Sequence, residues 1–397
     1  MKKYLIITLV LLLFTGCKFY DEYEMPEEVE IELNENKFEV YSDNTINNLI
    51  SDCNVEILNG DEELESEDIG EKEITIEYKY KKRDYKYIVN YEIVDTEAPF
   101  IIKLPTYKTT LINEEIDFCE GGSYIDNYDR ELECSVTGEY DISIPGRYFL
   151  KYEVKDDSGN IANKDFTLDV FYEWPEDNSD GNNDYKYTYT LFDDIQKKYE
   201  NKDVMLGIDI SVWQGDNIDF NKVKEDGAEF VIIRMAYSDL DTPIVLDKYF
   251  EQNIKKAKDA GLKVGVYVYT SANTKEEAIK QAKFIKNHLN KTKLDFPIAF
   301  DFEDWSDFNT LKMNSHDLLE RVNEYQSILE KDGYDMMIYG SKWYLENVWL
   351  PNDYDIWLAH YIDETDYNGD YILWQLCSDG IIDGIYGYVD FDIYYKK

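Results

Sequence analysis

A chain of 397 residues exceeds one average domain and holds enough residues to bury sizeable cores, so one small domain is excluded. Hydrophobic residues at 44% and aromatics at 15% exclude a disordered chain. The net charge of −43, with no stripe of Lys or Arg, argues against nucleic acid as a partner and reads as a solvated, self-repelling surface.

The N-terminus reads MKKYLIITLVLLLFTGC: two lysines, an apolar run from Tyr4 to Phe14, then small residues ending in Cys17. That run is well short of the roughly 20 residues a helix needs to cross a bilayer, so it predicts an export signal rather than a permanent anchor. The ending Phe14-Thr15-Gly16-Cys17 resembles a bacterial lipobox. The resemblance implies that residues 1–16 are a lipoprotein signal peptide and that Cys17 is lipidated, which would hold the protein on the extracellular face of the bacterial cell membrane. Residues 17–29 are then a polar, acidic tether. The other cysteines, Cys53, Cys119, Cys134 and Cys377, form no CxxC pair or His-Cys grouping, so no metal site is indicated. An exported chain permits a disulfide, and Cys119 and Cys134 share one small domain, but their separation in space is not legible.

Residues 30–94 read as β structure. Ile74, Ile76, Tyr78 and Tyr80 alternate with charged residues, as do Tyr87, Val89, Tyr91 and Ile93, which predicts two strands joined through Lys81 to Asp84. The design recurs in residues 95–172, with strands around Tyr148–Val154 and Phe166–Val170, a turn at Asp156–Asn160, and Gly146 standing where Gly70 stood. A repeat of this length without helical periodicity predicts two all-β sandwiches. The second resembles bacterial Ig-like domains in its opening Asp95-Thr96-Glu97-Ala98-Pro99, its Tyr124–Asp129 segment, its Pro145–Tyr148 turn and its Asp156–Asn160 turn. The first carries this resemblance only weakly. Asp126 and Asp129 fit a turn whose side chains bond their own backbone better than a calcium site. Together the two repeats are expected to act as spacers.

Residues 173–202 shift to Asn, Asp, Gly and Ser and then a short amphipathic stretch, which predicts a linker. From 203 to 397 apolar runs alternate with helical patterns. Strands are predicted at 205–210, 230–235, 264–269, 297–303, 336–340, 355–359, 371–375 and 389–394, with helices at 247–260, at 275–289 behind a Thr274/Glu277 capping box, and at about 315–331. Eight strands, with helices between the early ones only, predict an α/β barrel.

In such barrels reactive groups sit at the C-terminal ends of strands. Asp209 ends the first strand, Asp301 and Glu303 end the fourth, and Asp390 lies in the last. Alternation places Ala299, Asp301 and Glu303 on one face, and two carboxylates there repel each other unless they have a use. Burial and repulsion raise one pKa, and a carboxylic acid still protonated near neutrality is what a glycosidic oxygen needs from a general acid.

Gly207-Ile208-Asp209-Ile210-Ser211-Val212-Trp213-Gln214-Gly215, then Asp301-Phe302-Glu303, Trp357-Leu358-Ala359-His360-Tyr361, Trp374-Gln375 and Val389-Asp390, in this order, resemble glycoside hydrolase family 25 lysozymes (N-acetylmuramidases). The resemblance implies a (β/α)5β3 barrel that cuts the β-1,4 bond between N-acetylmuramic acid and N-acetylglucosamine in peptidoglycan, without a cofactor. It makes Glu303 the general acid, and Asp301, Asp209 and Asp390 carboxylates that orient substrate or stabilise positive charge at the anomeric carbon. Tyr267, Tyr339, Trp357 and Trp374 lie near strand ends as candidates for stacking on sugars. Arg234 is a candidate for a substrate carboxylate or a partner for Asp209. The competing reading is a non-catalytic cell-wall or glycan-binding adhesin on the same barrel. Retention of all four acids favours the enzyme.

Overall fold

The computed structural model describes residues 28–34, 36–174, 189–240, 242–303 and 308–396. The export signal, Cys17 and most of the tether lie outside these. No helix among the described residues is long and apolar enough to cross a membrane. The chain divides into two units, up to Thr96 and from Glu97 onward.

In the first unit the alternating stretches form a long antiparallel hairpin, Gly70–Tyr80 with Arg83–Val94, paired from Gly70 opposite Ile93 to Tyr80 opposite Arg83. The turn is Lys81-Lys82 alone, both at positive φ (45° and 67°), tighter than the link expected through Asp84. Ile76, Tyr78, Val89, Tyr91 and Ile93 supply the buried face. Lys37–Glu39 pairs parallel to the second strand and Glu56–Ile57 antiparallel to the first, while Ile31–Leu33 and Ile50–Cys53 form a separate ribbon.

The second repeat has the same strand order. Its hairpin Gly146–Lys155/Ile161–Phe171 carries Tyr107–Leu111 parallel on one side and Glu133–Thr137 antiparallel on the other, and Phe100–Lys103 pairs with Ser123–Ile125. Gly70 and Gly146 each open the first strand of the hairpin, so the duplication read from sequence extends to topology. Tyr152 stacks on Phe166 at 4.0 Å within this core. Cys119 and Cys134 are bonded to each other. Asp126 accepts from the backbone N–H groups of Tyr128 and Asp129, which is the backbone-bonding turn expected of this segment.

The barrel strands are β1 (Val204–Ile210), β2 (Phe230–Tyr237), β3 (Lys263–Tyr269), β4 (Ile298–Asp301), β5 (Met336–Ser341), β6 (Asp355–Ala359), β7 (Leu373–Ile381) and β8 (Val389–Tyr395). Neighbours from β1 to β7 pair in parallel, and β8 runs antiparallel between β7 and β1 to close the ring. Helices follow each of the first five strands, the last being Lys342–Asn347, and none separates β6, β7 and β8. Gly207 and Gly265 face crowded positions: a Cβ would lie 2.6 Å from the Phe230 ring and 2.5 Å from Ile232. Their absence of side chains lets Phe230 and Ile232 fill the barrel floor. Helix Lys275–Leu289 starts as expected, with Thr274 accepting from Glu277 N–H. The return arm differs, because the Glu277 carboxylate reaches Asn273 N–H rather than Thr274.

Two expectations are corrected. Residues 190–199 are not linker: Thr190–Leu191 pairs with β7, and helix Phe192–Tyr199 buries Phe192, Ile195 and Tyr199 against the barrel. Nor is the second repeat a free spacer. It belongs to the same unit as the barrel, Ile125 is part of the barrel's outer core, and Arg130 forms a two-pronged ion pair with Asp317 at 2.6 and 2.9 Å.

Candidate active site

Alternation along the strands decides which side chains enter the barrel. On β1, Met205, Gly207 and Asp209 face inward, and on β8 Asp390, Asp392 and Tyr394 do so. Asp209 and Asp390 are direct cross-strand partners, so their side chains share a face. Asp301 ends β4, and Glu303 lies two residues beyond it, outside the strand that its apolar neighbours predict. Asp209, Asp301 and Asp392 are buried, while Glu303 and Asp390 are partly exposed at the mouth.

This concentration of acids in an enclosed space raises every proton affinity within it. Burial pushes Asp209 well above the usual carboxylate range, and the charges of Asp390 and Asp392 add to it, against the hydrogen bond from Gln375. Burial and then Glu303 push Asp301 up, and the Arg234 guanidinium opposes them. Burial and then Asp390 raise Glu303. Asp390 itself is raised by burial to about 6. The partly exposed Glu303 is therefore an acid that holds its proton at higher pH than a free glutamate and can still reach a ligand at the mouth.

Of the five residues expected to meet substrate, Tyr267 is partly exposed inside the barrel, edge-on to Trp357, and Tyr339 lines the cavity that holds Glu303. Tyr339 is buried and spends its hydroxyl on Gln375 Oε1 at 2.8 Å. Trp357 is buried between Tyr267 and Tyr339, donating through Nε1 to Asp392 Oδ1 at 2.8 Å, so it supports the floor and offers no face to a sugar. Trp374 is corrected outright. It lies between inward-facing Leu373 and Gln375, points into the outer core, and donates Nε1 to the His360 carbonyl. Arg234 pairs with Asp247 rather than with Asp209. Its Nε donates to buried Asp247 at 2.9 Å, and Asp247 also accepts from Val212 and Tyr249 N–H.

Several site residues stand in the quoted motifs without a role assigned to them there. Gln375 bridges Asp209 to the hydroxyls of Tyr339 and Tyr361. Its inward parity with Leu373 was the available signal. Tyr361, 56% exposed, and Trp213, 84% exposed, are accessible aromatics on loops that follow β6 and β1. Gln214 beside Trp213 donates to the Tyr388 carbonyl, tying the loop after β1 to the chain just before β8. Glu303, Tyr339, Trp343, His360 and Tyr361 line a cavity of about 450 Å³.

A barrel whose mouth gathers carboxylates with raised proton affinities beside accessible aromatics is a site of glycoside hydrolase type. Comparison with known proteins agrees. The model of Glycosyl hydrolases family 25 matches residues 208–385, so this stretch carries that family's domain. Autolytic lysozyme of Clostridium acetobutylicum is 30% identical over 191 residues, covering 47% of this chain and 55% of that protein. The uncharacterized protein YegX of Escherichia coli K12 is 29% identical over 194 residues, covering 47% and 68%. Thus the chain spans about half the length of the clostridial relative and two thirds of the other. Among solved structures, the Clostridium perfringens spore cortex lytic enzyme SleM aligns at 17% identity and a TM-score of 0.44, over 49% of this chain and 68% of that one. A family 25 glycosyl hydrolase from Bacillus anthracis aligns at 21% and 0.42, over 50% and 91%. The autolysin LytC of Streptococcus pneumoniae, solved with a synthetic peptidoglycan ligand, aligns at 24% and 0.42, over 62% and 56%.

Proposed function

We propose that the protein is a surface-anchored peptidoglycan hydrolase that cleaves the β-1,4 bond between N-acetylmuramic acid and N-acetylglucosamine. The observation that carries this reading is Glu303: burial and the charge of Asp390 raise its proton affinity, it is partly exposed, and it lines a cavity with Tyr339 and Tyr361. Glu303 gives its proton to the leaving glycosidic oxygen. Asp301, Asp209 and Asp390 orient the sugar or offset positive charge at its anomeric carbon. The family match and the name of the clostridial relative support peptidoglycan as substrate. Two Ig-like repeats and a lipidated Cys17, which holds the chain on the outer face of the cell membrane, complete the proposal. They rest on the sequence resemblances.

Purified peptidoglycan digested with the protein, then reduced with borohydride, tests the reaction. Cleavage at this bond leaves N-acetylmuramic acid at each new reducing end, so reduced muramic acid is expected. Reduced glucosamine would reassign the bond, and binding without new reducing ends would favour the adhesin.

A further inference from the structure

Glu303 sits two residues past the last ladder-bonded residue of β4, so the barrel alone does not fix its backbone. Packing of its neighbour Phe302 supplies part of the rest. Phe302 is fully buried and packs on Phe308 at 5.8 Å, and Phe308 lies on Tyr344 at 6.3 Å. Phe308 opens a single helical turn, Phe308–Leu311, after which Lys312 through Asp317 meet the second β repeat. There Asn314 donates from its side chain to the Tyr128 carbonyl, and Ser315 N–H donates to the Asp126 carbonyl at 2.8 Å. Arg130 grips Asp317 with both prongs, and Lys312 meets Glu131 at 2.6 Å.

A second route from the repeat ends in the cavity itself. Phe100 and Ile125 are cross-strand partners in the repeat's two-stranded ribbon. Ile125 is buried in the barrel's outer core, and Phe100 packs edge-on against Trp343 at 5.0 Å. Trp343 lines the cavity that contains Glu303 and Tyr361.

We propose that the second β repeat is a working part of the catalytic unit, in which Arg130 positions Glu303 through residues 308–317 and the packing of Phe308 on Phe302, and Phe100 sets the cavity wall through Trp343. The inference rests on the hydrolase reading above. Arg130, Ile125 and Phe100 are positioning residues, since none touches the reacting atoms. The energetic case is that misplacing a reacting group by about 1 Å can cost on the order of 100-fold in rate.

The test uses the full chain with Arg130→Ala, Arg130→Lys and Phe100→Ala, assayed on a soluble oligomer of alternating N-acetylmuramic acid and N-acetylglucosamine. Arg130→Ala should lower kcat by about tenfold while KM changes less than about twofold, because the lost grip affects proton delivery more than glycan binding. A Glu303 that drifts toward water also loses part of its raised proton affinity, so the alkaline limb of the rate profile should move to lower pH. Arg130→Lys, which keeps one charged donor for Asp317, should restore part of both. Phe100→Ala should act mainly on KM. Amide hydrogen exchange at Phe302 and Phe308–Leu311 should rise in Arg130→Ala. A merely structural role would lower Tm alone and leave kcat and the pH limb unchanged below it. Unchanged kcat, pH limb and exchange in Arg130→Ala, with an active parent, would overturn the inference and leave the hydrolase reading standing. A parent that cuts no glycan at all would remove both, whatever the exchange shows.

Discussion

Gln375 donates its amide N–H to Asp209 Oδ2 at 2.7 Å, and the carbonyl of the same amide accepts from the hydroxyls of Tyr339 and Tyr361. One neutral side chain thus holds a buried carboxylate with one end and two tyrosines with the other, which a carboxylate or an apolar residue cannot do. Gln375→Leu should leave three polar groups without their partner. We expect a loss of about 1–3 kcal/mol in stability and a larger fall in kcat than in binding. Urea unfolding and turnover on the same preparation would measure both. Parental values in the variant would show that Gln375 holds nothing.

Glu303→Gln keeps the shape of the side chain and removes its proton. Turnover should drop by about 10²- to 10⁴-fold with glycan binding and Tm near those of the parent. A variant within a few-fold of the parental rate would assign the acid elsewhere.

The pH profile should carry the mark of Asp390. Its charge is one of the causes that raise Glu303, and a raised acid keeps its proton to higher pH, so activity fails only when pH climbs past that value. Asp390→Asn removes the repulsion. The alkaline limb of kcat/KM should then shift toward acid, because Glu303 ionises more readily without a negative neighbour. A limb that stays in place would separate it from Glu303.

Asp392 should make folding weaker as the solution becomes less acidic. It is fully enclosed, and burial followed by the charge of Asp390 raises its proton affinity well above an ordinary aspartate. Between about pH 4, where the unfolded residue ionises, and the higher folded value, the native chain holds a proton the unfolded one has released. Stability from this group is full below that window and is lost as pH rises through it. Asp392→Asn still accepts from Trp357 Nε1 and has no proton to lose. Its stability relative to the parent should therefore improve from pH 5 to pH 7.5 in denaturant titrations. A constant difference across that range would mean that Asp392 does not hold a proton.

Cys17→Ser should move the protein from the membrane fraction of producing cells into the medium, with specific activity unchanged. Retention on the membrane would point to another attachment.

The features legible in the sequence are those written in local chemistry. The alternation in Ile74–Tyr80 and Tyr87–Ile93, the Thr274 cap and the order of the acids are short-range patterns, and each stands where the sequence puts it. The errors have a shared cause. Nearness to a strand end suggests a cleft-facing Trp374, although strand parity with Leu373 and Gln375 turns it outward. The 297–303 strand reads two residues too long because apolar Phe302 continues the pattern, yet Phe302 is buried by Phe308 rather than by a ladder. Phe192, Ile195 and Tyr199 read as part of a linker since their apolar face has no visible partner within the segment. Docking of the second repeat is invisible for the same reason: Arg130 and Asp317 are 187 positions apart, and neither charge is unusual where it stands.

Closure of the barrel by an antiparallel β8 has a consequence for how the site is completed. The first strand has no neighbour on its outer side until Val389–Tyr395, near the far end of the chain, arrives to sit between it and β7. Until β8 is in place the sheet from β1 to β7 keeps two open edges, and this one strand both seals them and delivers Asp390. A chain cut short after β7 would lack not only a strand but also a carboxylate, so a sealed barrel and its full set of acids arrive in one step.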